Sequence, residues 1–445
     1  MGLSKLTNWG NYPVALANEI KFTTPDSVKQ ALLCKPVIAR GAGRCYGDAS
    51  LAENVLNTLP HNSFLAFDAI TGILRCEAGV MLSDILEVCV PQGWFLPVTP
   101  GTKFVTVGGA IASDVHGKNH HKDGSFRNFV IEMRLMLADG SIIQCSPTEN
   151  TDLFEATCGG VGLTGIILEA TLQLVKVESS YINLTQHKAV NLEEVFALFR
   201  ENAHYTYSVA WIDCLQKGKD LGRSILLLGE HSKLEDLPAK TQSHALSVPA
   251  KMPLKVPVDF PQFALNKYSV KAFNYAYYNK ARKKYAEAIT DYNSYFYPLD
   301  FVHDWNKIYG ARGFVQYQFV LPLSASFEGL TAILKRIEEK GMGSFLAVLK
   351  LFGKQNSLFS FPMEGYTLAL DFPVQKGLFE FLNTLDEMVH ERGGRVYLTK
   401  DARLSKENFE KGYPNFREFI SVVHKYNGES SPFRSMLSDR LMPEI

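Results

Sequence analysis

The sequence predicts an α+β chain of two domains, and three observations carry that reading. Three glycine-rich stretches lie in the first 167 residues: PVIARGAGRCYGD (Pro36 to Asp48), PGTKFVTVGGAIASDVHGKNHHKDGS (Pro100 to Ser125) and TCGGVGLTGII (Thr157 to Ile167). Ten glycines fall between Gly101 and Gly165, against 33 in the whole chain of 445, so the enrichment is local. From about residue 179 the glycines thin out and the periodic segments lengthen.

The elements follow in order. TPDSVKQALL reads as a helix capped by Thr24 with Pro25 in its first turn, and VIAR as the next strand. FLAFDAITGILRCEAGV is strand, turn and strand, and MLSDILEVCVPQGW a second helix. VIEMRLMLADGSIIQCS is a hairpin turning at Asp139-Gly140, and GIILEATLQLVKVE a long strand. In the second part come strands YSVAWIDCL and RSILLLGE, then a proline-rich passage, VPAKMPLKVPVDFP, expected to be an irregular loop or lid. GFVQYQFVLPL, SFEGLTAILKRIEEKG, SFLAVLKLFG, YTLALDFPV, KGLFEFLNTLDEMVHERGG and RVYLT then read as β, α, β, β, α, β. That order is a split βαβ, ferredoxin-like arrangement. The tail, SKENFEKGYPNFREFISVVHKY, is mainly helical, and no sequence repeat is present.

Composition narrows the function. With 46% hydrophobic and 21% charged residues the chain can bury a large core, and its net charge of +0 argues against a general nucleic-acid binder. Seven scattered cysteines without a CxxC pair fit a reducing compartment rather than a disulfide scaffold. The first twenty residues hold no signal-type apolar core, and Leu6 stands where a myristoylation signal needs Ser or Thr. A cytoplasmic protein is expected, with at most peripheral contact at the inner face of a membrane.

Glycine lets the backbone take left-handed angles and approach a ligand closely, so convergent amides in three such loops suggest a large phosphorylated cofactor. The first loop is not a good Rossmann site, because Gly41, Gly43 and Gly47 give GxGxxxG with no helix opening there. His116 and His120 have the spacing of a helical metal pair, but Gly117 breaks the helix and the glutamate of HExxH is missing, so no metal is expected. His120 and His121 read as structural; for His116 a ligand contact and a structural role stand side by side. Gln316 and Gln318 share one strand face opposite Val315, Tyr317 and Phe319, and Lys350 is an ammonium amid apolar neighbours. These three make either a polar substrate wall or a solvated edge. Between Lys267 and Tyr285, Lys271, Lys280, Arg282, Lys283 and Lys284 interleave with Tyr268, Phe273, Tyr275, Tyr277 and Tyr278. That pattern fits a solvated amphipathic helix, or an interface for lipid phosphates.

VIARGAGRCYGD, PVTPGTKFVTVGGAIASDVHGKNHHKDGSF and GGVGLTGII resemble the FAD-binding segments of the vanillyl-alcohol-oxidase, or PCMH-type, superfamily. Within it they are most similar to the decaprenylphosphoryl-ribose oxidase family. The similarity runs through YPLDFVHDWNKIYG, GFVQYQFVLP, SFLAVLKLFG, LDFPVQKGL and GGRVYLTKDAR, and so covers nearly the whole chain. The resemblance implies an FAD-binding domain of residues 1–178 completed by the returning segment 396–445, with an antiparallel-sheet substrate domain, 179–395, inserted between. It implies a pyrophosphate loop of Ala39, Arg40, Gly41, Ala42, Gly43, Arg44, Cys45, Tyr46, Gly47, Asp48 and Ala49. Further cofactor contacts are implied for Gly101, Thr106, Val107, Gly108, Gly109, Ser113, Asp114, Val115, His116, Ile167 and Tyr397. Tyr46 stands where several members carry a flavin-linked histidine, which implies non-covalent FAD.

The implied reaction oxidises the 2-hydroxyl of a polyprenylphosphoryl ribose to a ketone, with hydride passing to the flavin, as the first half of an epimerisation to the arabinose form. Lys400 is the implied stabiliser of developing negative charge, with His116 and Tyr46 beside it and Gln316, Gln318 and Lys350 against the sugar. An NAD(P)H-dependent reductase is the implied partner. One departure stands out: better-known members have a cysteine before DFP where this chain has Ala369, which bears on pocket shape. An alditol or sugar-lactone oxidase and a non-catalytic flavin-binding module are the alternatives. Tyr46 weighs against the first, and the set of Lys400, Lys350 and two glutamines against the second.

Overall fold

The computed structural model describes residues 3–248 and 252–445. In the N-terminal part, Ser4–Thr7, Val14–Lys21, Asn54–Asn57 and Val37–Arg40 form a four-stranded sheet in that order, parallel except at its first pair. The Pro25–Ala31 helix between them starts in a capping box, with Thr24 Oγ1 accepting from Ser27 N at 3.2 Å. A second sheet has the order Phe64–Asp68, Ile73–Glu77, Ile166–Gln173, Val130–Met136, Ile142–Cys145, all antiparallel. The expected turn closes its last hairpin, Gly140 taking φ +80° while Asp139 Oδ1 accepts from Ser141 N. Phe22, Val37, Leu56, Met136, Ile166 and Leu168 weld the two sheets into one apolar layer.

The long strand expected over GIILEATLQLVKVE is interrupted. Pairing ends at Gln173, Leu174 N donates to Gly72 O, and Val175–Lys176 joins Trp94–Phe95 instead. The chain changes partner there and leaves the N-terminal sheets.

Beyond it an eight-stranded antiparallel sheet runs in the order Tyr285–Asp291, Tyr181–Ala189, Ser224–His231, Tyr207–Ile212, Ala347–Phe352, Gly365–Pro373, Phe314–Pro322, Arg395–Val396. The last four, numbered by their sequence, lie 2-3-1-4, the strand order of the split βαβ motif that the six segments predicted. The first four repeat that order in mirror sequence, 4-1-3-2, and the two halves meet where Ala210 and Trp211 pair with Leu349 and Val348. A structural repeat is thus present without a sequence repeat.

Alternation decides what each face touches. Tyr317, Phe319, Leu349, Leu368 and Leu370 bury one face under the helices Leu192–Glu201, Leu323–Lys340 and Leu378–His390. Gln316, Gln318, Thr367, Ala369, Asp371 and Lys350 share the other face, the one turned towards the N-terminal loops. The second crossover of the first half does not join the helices on the far side. Its helix, Lys267–Lys280, sets Tyr278 against Trp211 and Ile225, on the same side as Lys350.

The predicted basic and aromatic segment is therefore divided: Asn266 caps the helix, Val270, Asn274 and Tyr278 bury one stripe, and Tyr285 opens a strand. Pro249, Ala250 and Lys251 of the proline-rich passage lie outside the described residues. Within that passage Leu254–Lys255 is not irregular but pairs in parallel with Val302–His303.

The C-terminal helices Lys406–Gly412, Phe416–Asn427 and Met436–Leu441 pack back on the N-terminal part. Val37 bridges Phe433, and Asn427 bonds both Ala138 N and Thr164 O. The seven cysteines are all unpaired.

Candidate active site

The site forms where the polar sheet face meets the first glycine loop. Antiparallel register sets Gln316 opposite Asp371 and Gln318 opposite Ala369. Past Arg395–Val396, Tyr397 N donates to Gln318 O, and a single tight turn over Leu398–Lys400 carries the lysine back over the sheet. Tyr46 N donates to Thr399 O at 3.1 Å, which brings the first loop against that turn. The approach requires glycine at 47, where a Cβ would lie 1.5 Å from Asp401 O, and at 41, where it would meet Thr106 Oγ1 at 2.2 Å.

Lys400 Nζ lies 3.8 Å from the centroid of the Tyr46 ring, whose face attracts the cation. Facing this pair is Asp371, 1% exposed, which accepts from Gln316 Nε2 at 2.6 Å and from the Tyr309 hydroxyl at 3.3 Å. Burial raises Asp371 to about 7, opposed by the Gln316 hydrogen bond and by Lys400. Burial lowers Lys400 to about 7, opposed by Asp371 and reinforced by Lys350. The Tyr46 phenol is pushed well above its ordinary range, by burial first and then by Asp371. A buried carboxyl and a half-buried ammonium thus sit together near the pH at which each changes charge.

His116 is oriented by a chain of hydrogen bonds with one consistent polarity. Thr367 Oγ1 donates to Phe319 O at 2.8 Å, so it accepts from Gln318 Nε2 at 3.2 Å. The other Nε2 hydrogen then goes to His116 Nε2 at 2.9 Å. His116 therefore carries its proton on Nδ1, and that buried atom has no partner among the described residues. Burial, and then Lys350, keep the ring neutral by pushing its pKa well below the ordinary value. The ring sits edge-on to Phe352 at 4.8 Å and beside Tyr397, whose hydroxyl donates to Ser113 O.

The other sequence-selected residues divide into two groups. In the first loop, the N–H groups of Gly41, Ala42, Gly43, Arg44 and Cys45 have no acceptor among the described residues, and Gly43 is left-handed at φ +61°. Successive unsatisfied amides of this kind suit phosphate oxygens. Gly101 leaves open space where a Cβ would stand.

The rest have side chains or amides engaged within the protein. Arg40 bonds Asn8, Ser50 and Thr7 O. Arg44 lies 4.0 Å above the Trp9 ring. Asp48 is paired with Arg440. Thr106 caps the short helix Val107–Ala112, whose first amides go to Val80 O, Ala78 O and the Thr106 hydroxyl. Val107 and Gly108 therefore tie that helix to a neighbouring strand end instead of offering free donors, and Gly109 closes the cap. Ala49, Val115 and Ile167 are core. Asp114 is fully buried and collects Ser125 Oγ, Arg127 N, Gln355 Nε2 and Ser360 Oγ.

The structural reading of His120 and His121 has a definite basis. Gly353 N donates to His120 Nδ1, so His120 Nε2 donates to Gln355 Oε1 at 2.7 Å, and burial holds the ring neutral with a pKa of about 4. His121 Nε2 bonds Tyr205 O. Two site residues escaped the sequence reading. Asp371 was legible in YTLALDFP, where Thr367, Ala369 and Asp371 alternate with Leu368, Leu370 and Phe372. Lys118, inside HGKNHH, has no such signal, because its place depends on how the loop folds.

Residues 23–146 match the FAD binding domain family. The chain is 38% identical over 432 residues to decaprenylphosphoryl-beta-D-ribose oxidase of Mycolicibacterium smegmatis, covering 94% of this chain and 93% of that one. An uncharacterised protein of Streptomyces coelicolor is 32% identical over 375 residues, 81% of this chain and 100% of its own. The human delta(24)-sterol reductase is 33% identical over 135 residues only, 30% of this chain and 26% of the reductase.

Proposed function

Because this chain belongs to the family of decaprenylphosphoryl-beta-D-ribose oxidase and carries an FAD-binding domain, we propose that it oxidises the 2-hydroxyl of a polyprenylphosphoryl ribose to the 2-keto sugar. The chain is an FAD-dependent oxidoreductase. The observation that carries the finer reading is the cluster of Lys400, Asp371 and Gln316 beside Tyr46, with the unpartnered Nδ1 of His116 in the same cleft.

The residues fit FAD: free amides from Gly41 to Cys45 for its pyrophosphate, open space at Gly101, and the His116 Nδ1–H for a carbonyl or ring nitrogen. When bound, FAD supplies the hydride acceptor. Tyr46, a phenol where related enzymes hold a flavin-linked histidine, supports non-covalent binding. The Lys400 ammonium is aimed to stabilise negative charge as the sugar hydroxyl gives up its proton. Asp371 is a positioning residue: its charge favours the protonated lysine, and Gln316 and Tyr309 hold it in place. Gln318 spends both amide hydrogens on Thr367 and His116, which leaves its Oε1 to accept from a sugar hydroxyl. Ala369, on the same face, gives the sugar more room than a cysteine would.

The bridges from Val37 to Phe433 and from Asp48 to Arg440 support an FAD domain of residues 1–178 and 396–445 with the substrate domain 179–395 inserted. No helix among the described residues is long and apolar enough to cross a membrane. Peripheral contact with an anionic bilayer is supported by Met252, Phe263 and Tyr268, 88%, 79% and 83% exposed, next to Lys255, Lys267 and Lys271. A 2-keto sugar becomes the arabinose form only by reduction from the other face, so an NAD(P)H-dependent reductase is the proposed partner.

Anaerobic mixing with polyprenylphosphoryl ribose is expected to bleach the flavin, while free alditols leave it oxidised; bleaching by alditols alone refutes the substrate. Acid precipitation is expected to release the flavin, and colour kept in the pellet refutes non-covalent binding.

A further inference from the structure

Besides Lys400, the cleft holds two half-buried lysines: Lys350, which the resemblance sets against the sugar, and Lys118, to which the reaction described above gives no role. Lys350 stands opposite Thr367 on the polar sheet face, and no hydrogen bond or ion pair engages its Nζ among the described residues. Lys118 comes from the HGKNHH loop, which is clamped in place: Ser208 N donates to Lys118 O, and Gly353 lies so close to the loop that a Cβ there would meet His121 backbone. Lys118 Nζ donates to Tyr295 O and lies 4.0 Å from the Tyr295 ring centroid, so one of its hydrogens is held and others remain free.

No carboxylate pairs with either lysine among the described residues. Each is shifted down by burial, Lys350 to about 8 and Lys118 to about 7, and Lys350 further depresses Lys118, His116 and His120. Ser208, which holds the Lys118 backbone, stands on the strand whose Ala210 and Trp211 pair with Leu349 and Val348, so the loop meets the sheet beside Lys350. Two like charges set side by side and partly desolvated are costly unless an anion joins them. Here the pair lies on the His116 side of the sheet face, away from the Asp371 carboxylate that serves Lys400.

We propose that Lys118 and Lys350 form a subsite for the phosphoryl group of the lipid-linked substrate, holding it while the neighbouring sugar carbon reacts at Lys400. The inference rests on the proposed substrate class, whose phosphate is attached at the anomeric carbon, next to the 2-hydroxyl. It gives the site two anchors with distinct tasks: the lysine pair fixes the phosphate, and Gln318 with Lys400 fixes the hydroxyl to be oxidised. The exposed aromatic residues Phe263 and Tyr268, at and just before the start of the Lys267–Lys280 helix on the same side as Lys350, then receive the polyprenyl chain.

The test uses the FAD-loaded protein with three probes: farnesyl phosphate, farnesol and inorganic phosphate, read by the change in flavin absorbance and by calorimetry. Farnesyl phosphate is expected to bind, inorganic phosphate to compete with it, and K350M and K118M each to weaken it about ten- to a hundredfold. Farnesol is expected to bind all three proteins alike, and K350R to recover most of the lost affinity. Unchanged affinity for farnesyl phosphate in both Met variants overturns the subsite, as does an equal loss for farnesol or a lack of competition in the unmodified protein. Flavin content, measured on each variant, separates these effects from loss of the cofactor. Should farnesyl phosphate bind through Lys350 while polyprenylphosphoryl ribose fails to bleach the flavin, the sugar assignment falls and the phosphate subsite stands.

Discussion

The two halves of the eight-stranded sheet share a strand order and differ in what they place on the face towards the N-terminal glycine loops. The half running from 314 to 396 sends both helices to the far side and leaves Gln316, Gln318, Thr367, Lys350 and Asp371 facing the cleft. The half running from 181 to 291 presents Tyr207, Val209, Trp211, Ile225 and Leu227, and sends its second crossover over this same face. Phe273 of that crossover helix reaches Phe345, which stacks on Tyr309, whose hydroxyl bonds Asp371. One half therefore presents a polar face, and its structural twin supplies an apolar wall and roof. In connectivity the halves differ only in the side chosen by a single connection, since the strand pairing is the same; in chemistry they differ in the side chains set on this face.

This contrast can be broken at several points. The largest effect is expected for Lys400→Met: flavin reduction by substrate should slow by about 10²- to 10³-fold with FAD still bound, as stopped-flow absorbance and flavin content would record. Asp371→Asn comes next, with a loss of about ten- to a hundredfold. The protonated form of Lys400 is the active one in this reading and its pKa is about 7, so the reduction rate of the unmodified protein should fall as pH rises through 7. Removing the Asp371 charge disfavours that ammonium further, so the falling limb of the Asn variant should move to lower pH. A purely structural role for Asp371 would reduce the rate without moving the limb.

On the apolar half, Phe273→Ala should raise KM for a long polyprenyl substrate about tenfold and leave kcat unchanged, because it trims apolar surface that is half-exposed on the Lys267–Lys280 helix and removes no polar group. A short-chain analogue should show no such penalty. The smallest effect is expected at the rim, where Lys271→Gln should weaken binding to phosphatidylserine vesicles about fivefold, near 1 kcal/mol for one basic side chain.

Much of this was legible from residue order. The alternation in GFVQYQFVLPL gave Gln316 and Gln318 their shared face, and six periodic segments gave half of the large sheet its topology. Asp371 needed only the same period-2 reading carried two residues past Ala369. Other features had no local signature. Which face the Lys267–Lys280 helix covers depends on packing around Trp211, and the repeat of strand order leaves no trace in the sequence because the two halves bury different side chains. The glycine loops were legible as loops, but only contact geometry separates Gly41 and Gly47, which let protein segments meet, from Gly101, which does not. The amides of Val107 and Gly108 likewise proved to be committed to Ala78 and Val80.

Arg440 adds a point about the order of assembly. It bonds both oxygens of Asp48 and also reaches Asp401, two carboxylates 3% and 5% exposed. Burial raises Asp48 to about 6 despite the arginine; for Asp401 burial is outweighed by Arg440 and Arg403, which hold it below the usual range. The partners Asp48 and Arg440 are 392 positions apart. During synthesis on the ribosome, the first loop must therefore wait for nearly the whole chain before its buried carboxylate finds a counter-charge. If the free amides from Gly41 to Cys45 hold FAD as proposed, its capture is a late event completed after residue 440 emerges, and a nascent chain lacking that residue should leave the loop unclosed.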